Sequence, residues 1–406
     1  MPEGASFRFI QSGDFHLDQP LGGLSNVPDH LRDLFCDAAR SATKNVFENA
    51  VLHDVDFVLL TGNLLDVRRS TPKTLGFLLE QFETLNKVGI QVYWAGGSID
   101  PPVRWPSSIA LPENVHVFKT GSPQEIYFER DERPICTITG RCNPAREPRE
   151  GEYRADPSGL FTIAMSHGEI EAGTIRNSEI AYWAIGGKTS RHKPKSSPAF
   201  SLFAGSPQGF VPTDVGQRSC TLVEVQDDGS MESEALATDV VRWQSELIEL
   251  ESCESISDLE QVLKNRMQTL IGSKGRRHLL VDWRVIISGD SPKDLLDETT
   301  WSKMTGALNK EFGEDHGEAW THEVTVETSS VIPEPWYQEQ TISGDFLRMA
   351  RELQADPTIE IDLKSMLGSL EQGGRVAQAV EIDSRETRRK ILQESRRMGV
   401  QLLRAE

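Results

Sequence analysis

Asp14 and His16 stand one residue apart near the start of the 406-residue chain. Further on come Asn63 with Asp66, Ser98 with Asp100, the lone His167, and Lys188 between Gly187 and Thr189. Carboxylates, imidazoles and carboxamides gathered in one place can hold a divalent cation or move a proton. They occur in short glycine-bearing segments: Gly13-Asp14-Phe15-His16, Gly62-Asn63-Leu64-Leu65-Asp66, Gly96-Gly97-Ser98-Ile99-Asp100, Ser166-His167-Gly168 and Gly186-Gly187-Lys188-Thr189. A sixth, Ala204-Gly205-Ser206-Pro207-Gln208, carries no ligand-type chemistry. Each segment follows an apolar run with strand character, so each falls on the loop at a strand's carboxyl end. In α/β sheets ligands collect at that edge, because several loops converge there on a rigid base.

The elements that must position these loops are legible as alternating strand and helix patterns from Phe7 to about Val225. Strands are predicted at Phe7–Gln11, Asp56–Thr61, Gln91–Ala95, Phe161–Ser166, Ile180–Ile185, Ser201–Ala204 and Ser219–Val225. Apolar residues at helical spacing predict helices over Pro28–His53 and Pro72–Val88. The turn Asp227-Asp228-Gly229 marks the start of a new unit. In it Ser257 and Glu260 suggest a capping box, and strands are predicted at Leu279–Ser288 and Glu323–Thr328. Val331 to Pro335 reads as a linker. Beyond it Leu347, Ala350 and Leu353, then Leu363, Met366, Leu367 and Leu370, lie at helical spacing, and an Arg-rich helix starts near Ser384. The domains expected are thus 1–228, 229–332 and 333–406.

In order and spacing, the loop segments resemble the series D-x-H, G-D-x-x-D, G-N-H-D, H, G-H-x-H of calcineurin-like metallophosphoesterases. The Gly-Ser-Pro-Gln segment resembles one found in the SbcD branch, and Asp345-Phe346-Leu347 through Asp356-Pro357 resembles the helical end of SbcD- and YhaO-like proteins. The resemblance implies an α/β fold of four layers, a two-sheet sandwich flanked by helices, with a small α+β capping domain and a helical tail. It implies DNA-end processing in the cytoplasm, as an exonuclease subunit working with an SbcC-like SMC-type ATPase. DNA and a second copy of the chain are further partners it leaves open. In that family two divalent metals, commonly manganese, activate a water for attack on a phosphodiester. Asp14 and His16 match ligands of one metal, and His167 matches the lone histidine ligand of the other. Asp66 and Asp100 match the outer aspartates of the second and third motifs.

Elsewhere the chain departs from the pattern. Asn63 replaces the bridging aspartate, Ser98 the asparagine ligand and Ile99 the catalytic histidine, while Gly187 and Thr189 replace both histidines of the last motif. Two dications about 3.5–4 Å apart repel strongly, and an anionic bridge makes that spacing tolerable. A carboxamide is neutral, Gly187 and Ile99 offer no ligand, and Ser98 and Thr189 offer weak hydroxyls. One metal would keep Asp14 and His16, with the Asn63 carbonyl oxygen as a possible third ligand, and the other only His167, so the site would hold at most one loosely bound divalent ion, manganese by the resemblance, or none. Without a histidine at Ile99 the leaving oxygen lacks its acid. A catalytically impaired scaffold is therefore one expectation; a divalent-metal-dependent exonuclease with a rearranged site is the other.

Each site residue also has a plainer role. Asp14 and His16 could be hydrogen-bonded to loop backbone, His167 a framework histidine, and Asp66 and Asp100 loop braces. His192 could substitute as a ligand or be solvated between Arg191 and Lys193, whose charge disfavours a cation. Lys188 could contact a phosphate or be an ordinary surface lysine. The tail helices could dock in a groove of the ATPase or pack on their own domains. Composition narrows the partners: 43 Lys and Arg against 62 Asp and Glu give a net charge of −19, which repels a polyanion. Basic clusters at Lys188, Arg191, Lys193 and Lys195, at Lys274, Arg276 and Arg277, and from Arg385 to Arg397 relieve this locally. Five scattered cysteines, an odd number, predict reduced thiols in a cytoplasm and argue against a disulfide framework or a zinc cluster. No apolar run is long enough to span a bilayer, and residues 1–7 lack a secretory pattern.

Overall fold

The computed structural model describes residues 5–23, 27, 29–142, 147–194, 200–288, 291–315, 317–328, 334–356 and 385–404. The chain divides into two compact units, Met1–Thr328 and Ser329–Glu406.

The larger unit is built on two sheets. The first has strands β1 (Phe7–Ser12), β2 (Phe57–Leu60), β3 (Gln91–Trp94) and β4 (Val115–Val117). The second has β5 (Gln124–Arg130), β6 (Arg133–Gly140), β7 (Phe161–His167), β8 (Tyr182–Gly186) and β9 (Phe200–Phe203), in that order across the sheet. The chain then returns to the first sheet with β10 (Ser219–Val225) and β11 (Met231–Ala237), giving the order β11-β10-β1-β2-β3-β4. From β1 to β4 and from β6 to β9 neighbours are parallel, so the loops after β1, β2, β3, β7, β8 and β9 emerge at carboxyl ends.

The sheets bury one face against each other. Phe7 and Phe9 of β1, Phe57 and Leu59 of β2, and Tyr93 of β3 meet Ile138, Ile163, Met165, Tyr182 and Leu202 across the sandwich. Phe9 stacks on Phe57 at 5.2 Å and meets Tyr182 edge-on at 5.2 Å. The other face of the first sheet packs on helices α1 (Asp29–Leu52) and α2 (Pro72–Lys87), through Val46, Phe47, Leu78, Phe82 and Leu85. Thr71 caps α2 by accepting from Thr74 N, and Pro72 sits where a missing N–H is harmless. Beyond the second sheet, Trp183, Ile185 and Phe203 pack on Tyr153 and on the five-residue helix α3 (Ala172–Arg176). The layers run helix, sheet, sheet, helix, which is the α/β architecture expected. Strands buried on both faces read as apolar runs, and that is why β1, β2, β3, β7, β8, β9 and β10 fall within two residues of their predicted bounds.

The turn Asp227-Asp228-Gly229, expected to start a new unit, instead closes the hairpin between β10 and β11 inside the first sheet. The following sheet starts at β12 (Val241–Leu250) and continues through β13 (His278–Ile287) and β14 (Ala319–Thr328), all parallel. Helices α4 (Ile256–Ser273) and α5 (Glu298–Leu308) cover one face through Leu259, Leu263, Met267, Met304 and Leu308. The cap of α4 is Ser255, accepting from Asp258 N, and not the predicted pair Ser257 and Glu260. The other face packs on α1, where Trp243, Leu280 and Trp320 meet Leu31, Phe35 and Ala38.

The smaller unit comprises α6 (Glu334–Gln338), α7 (Ile342–Ala355) and α8 (Arg385–Arg404). Glu334 and Pro335, read as linker, begin α6. Leu347 and Tyr337 are buried together with Val400 against them. The stripe Leu363, Met366, Leu367 and Leu370 lies outside the described residues, as do Pro28, Lys195, Ser384 and positions 331–333.

Candidate functional site

At the shared carboxyl edge of both sheets, the loops after β1 and β2 are stitched backbone to backbone. Asp14 N donates to Gly62 O at 2.7 Å, His16 N to Asn63 O at 3.0 Å and Leu17 N to Leu64 O at 3.0 Å. Asp14, His16 and Asn63 all adopt left-handed backbone, with φ of 51°, 46° and 58°. Such conformations persist where the surroundings over-determine them, and they gather at functional sites.

Asp14, Asn63 and His167 form a nearly buried cluster, 3%, 8% and 9% exposed. The Asn63 carboxamide links its members. Its Oδ1 accepts from Ser98 N at 3.0 Å, Ser98 Oγ at 3.1 Å and Ile99 N at 3.3 Å. Two of those donors are backbone N–H groups, so the oxygen must face them. The Nδ2 group therefore faces the other way, 2.9 Å from Asp14 Oδ1 and 3.2 Å from His167 Nε2. His167 Nδ1 lies 2.8 Å from Thr61 O, a carbonyl that can only accept. The ring thus carries its proton on Nδ1 and presents Nε2 as an acceptor to Asn63. The second oxygen of Asp14 accepts from Gly187 N at 2.8 Å.

Two glycines allow this approach. A Cβ on Gly97 would stand 2.5 Å from Asn63 Oδ1 and 2.7 Å from His167 Cε1. Gly187, at φ 95°, brings its backbone to Asp14 in a conformation that side chains disfavour.

Burial pushes the Asp14 carboxyl above its ordinary value, opposed by His167, Gly187 N–H, the Asn63 amide and His16. Burial also draws the His16 imidazole below its ordinary value, with Asp14 as the main opposing influence. His16 Nε2 lies 3.9 Å from Asp14 Oδ1, and its ring meets Phe210 edge-on. At that separation His16 and Asp14 are beyond hydrogen-bonding distance.

The remaining site residues lie around this cluster. Asp100 accepts from Asn63 N at 2.8 Å, Gly97 N at 2.6 Å, Leu64 N at 3.0 Å and Trp94 Nε1 at 3.1 Å, bracing the second and third loops. Asp66 accepts from Arg68 N within its own loop and makes no described contact with the cluster. The Ile99 side chain is half-buried and has no proton to give. Thr189 contributes its carbonyl, which accepts from Ser206 N and from Arg218 Nη1 at 2.5 Å. Lys188 is paired with Glu169 at 3.1 Å and lies over the Phe203 ring. His192 is exposed, backbone-paired with Phe203, and makes no described contact with Asp14, Asn63 or His167. Other members of the basic clusters are similarly engaged: Lys193 lies over Phe200, Lys274 pairs with Glu318 and Arg277 with Asp239.

Three positioning residues were not among the candidate site residues, although Gln208 closes the sixth loop segment. Gln11, fully buried between the sheets, donates to Ile185 O and Leu202 O and accepts from Tyr182 OH. A glutamine within the apolar run of β1 was the available signal. Gln208 bonds Val240 and Val241 at the start of β12. Arg218, paired with Asp214, holds the loop of Thr189.

A two-cation centre does not fit these residues. The group between Asp14 and His167 is an N–H donor, and three donors to Oδ1 oppose its reversal. Among the described residues, no cluster of three or more His, Cys, Asp or Glu side chains is arranged to hold a metal ion. Among them, too, no helix is long and apolar enough to cross a membrane.

No protein-family model matches the chain. It is similar to "Uncharacterized metallophosphoesterase YhaO" of Bacillus subtilis (strain 168), 27% identical over 345 residues, covering 79% of this chain and 82% of that protein. Solved structures with partial likeness include TT1561 of Thermus thermophilus, 14% identical with a TM-score of 0.35, covering 57% of this chain and 99% of that one. Another is Vps29 of Entamoeba histolytica complexed with zinc, 15% identical with a TM-score of 0.25, covering 57% and 99%. Over 79% of its length, then, this chain is similar to a protein described as a metallophosphoesterase.

Proposed function

We propose that this protein is an SbcD-like member of the metallophosphoesterase group that has lost two-metal catalysis and acts as a scaffold in DNA-end processing, as partner of an SbcC-like SMC-type ATPase. The observation that carries the reading is the Asn63 carboxamide, an N–H donor seated between Asp14 and His167 where in-line hydrolysis would need an anion between two cations. Ile99 removes the acid for the leaving oxygen, and Gly187 and Thr189 supply backbone contacts in place of imidazoles. A cytoplasmic setting agrees with cysteines that are all free. The partner role is supported by the smaller unit, where Ile342 and Met349, seven residues apart on one face of α7, are 76% and 63% exposed. Leu347 and Ala350 face the interior of that unit and leave the outer face to Ile342 and Met349.

The test is hydrolysis of single- and double-stranded DNA by the purified full chain with manganese. The expected result is no turnover above buffer. Robust turnover that Asp14→Ala abolishes would overturn the reading in favour of the second one, an exonuclease with a rearranged site. That alternative draws its support from the left-handed backbone at Asp14, His16 and Asn63.

A further inference from the structure

We infer that the groove between α1 and α2 binds a small apolar amine, a ligand with a hydrocarbon body and an ammonium head. The inference stands apart from the carboxyl-edge site and does not depend on whether that site hydrolyses anything.

The residues of α2 that turn inward are Thr74, Leu78, Gln81, Phe82 and Leu85. Leu78, Phe82 and Leu85 enter the core shared with α1, and Thr74 is tied to the helix cap through Thr71. Gln81 differs. It is 8% exposed, yet its carboxamide has no hydrogen-bond partner among the described residues. A carboxamide withdrawn from water without partners is costly, whereas methionine has the same reach without that cost. Gln81 borders a cleft of about 540 Å³, whose walls include Phe47, Glu48, Val51 and Leu52 of α1 and Thr84 of α2.

The walls select the ligand. Phe47 belongs to the core, and Val51 and Leu52 are 41% and 77% exposed, leaving an apolar strip that a hydrocarbon body would cover. The polar groups beside it are rich in acceptors: the Glu48 carboxylate, Gln81 Oε1 and the Thr84 hydroxyl, whose proton goes to Glu80 O at 2.8 Å. The ion pair of Glu48 with Lys44, 3.4 Å long between side chains 59% and 58% exposed, is readily exchanged for another cation. The last turn of α1 carries no basic residue, so that helix end also favours a positive charge. An ammonium brings three donors to these acceptors. A carboxylate in its place would meet like charge, and an uncharged hydrocarbon would leave Gln81 unpaired.

Titration of the full chain with phenethylammonium chloride, followed by the ¹H–¹⁵N signals of the Gln81 side chain and the α1 backbone, tests this. Saturable shifts are expected, with a Kd of about 1 mM, and phenylacetate should bind at least about tenfold more weakly. Glu48→Gln should bring the two probes within about twofold of each other. Gln81→Met should weaken the amine about fivefold and melt no lower than wild type. No saturable shift up to about 10 mM would mean that water alone satisfies Gln81, and overturns the inference. Equal binding of the anion to wild type overturns it too. So does a lower Tm in Gln81→Met, which would show a carboxamide that already supports the fold.

Discussion

The two sheets furnish the site unequally. On the side of the first sheet, the side chains of Asp14, Asn63 and Asp100 have oxygens that accept backbone N–H groups from other loops. On the side of the second sheet, His167 is the single described side chain that joins the cluster; Gly187 takes part through its backbone N–H, and the Thr189 carbonyl is held by Ser206 and Arg218 instead. A side-chain oxygen that accepts backbone donors holds its loop with or without a cation. A residue whose single partner would be a metal has no such second duty. The polar side chains at this edge sit where the first condition applies, which explains how the loops keep their strained course around a cluster unsuited to two metals.

The largest effect is expected from Asp100→Ala, which would strand the N–H groups of Asn63, Leu64, Gly97 and the Trp94 indole in a buried setting. The loss should be about 4 kcal/mol in urea unfolding, as orphaned donors cost about 1–3 kcal/mol each before water relieves some of them. A near-neutral result would break the contrast between the two sides. Asn63→Ala comes next, at about 3 kcal/mol by the same measurement. It removes the acceptor for Ser98 and Ile99 and forces alanine into a left-handed conformation.

A smaller effect is predicted where the three-stranded sheet meets the loop that follows His16. His322 Nδ1 lies 2.7 Å from Asp282 Oδ1 and Nε2 lies 2.5 Å from Gly23 O. Both partners are acceptors, so the contact needs the imidazolium, and hydrogen bonding to Asp282 raises the His322 pKa above its ordinary 6.5, with burial opposing. A raised folded pKa gives stability that is complete below pH 6.5 and lost as pH climbs through the folded value. The Tm difference between wild type and His322→Gln should therefore shrink over that window. Solvent screening keeps the contribution under about 1 kcal/mol. A difference constant with pH would contradict the paired-donor geometry. Thr189→Val should change stability least, by no more than about 0.5 kcal/mol, because its side chain is exposed and its carbonyl makes the contacts.

The sequence made the layered α/β fold and the loops at the strand ends visible, because strands covered on both faces are continuous apolar runs bounded by glycine-bearing turns. It hid β5 and β6, most of whose exposed positions are charged and whose turn, Asp131-Glu132, reaches left-handed backbone without the Asn-Gly signal of a tight hairpin. It hid β11 and β12 for the same reason, since Glu232, Glu234 and Glu249 interrupt their apolar residues. At the site, the departures at Asn63 and Ile99 were legible only through the resemblance of the loop segments to a family's motif series. The direction in which the Asn63 amide points was not, because it depends on Ser98 N and Ile99 N converging from a loop thirty-five residues away. Gln11 and Arg218 escaped notice because several of their partners are backbone carbonyls, Ile185 O and Leu202 O for one and Thr189 O for the other, which leave no trace in residue type.

Crystals soaked in manganese and measured at the manganese absorption edge address the cation question most directly. With the Asn63 amide occupying the gap between Asp14 and His167, the anomalous map should be flat there. Paired anomalous peaks on either side of Asn63 would contradict it.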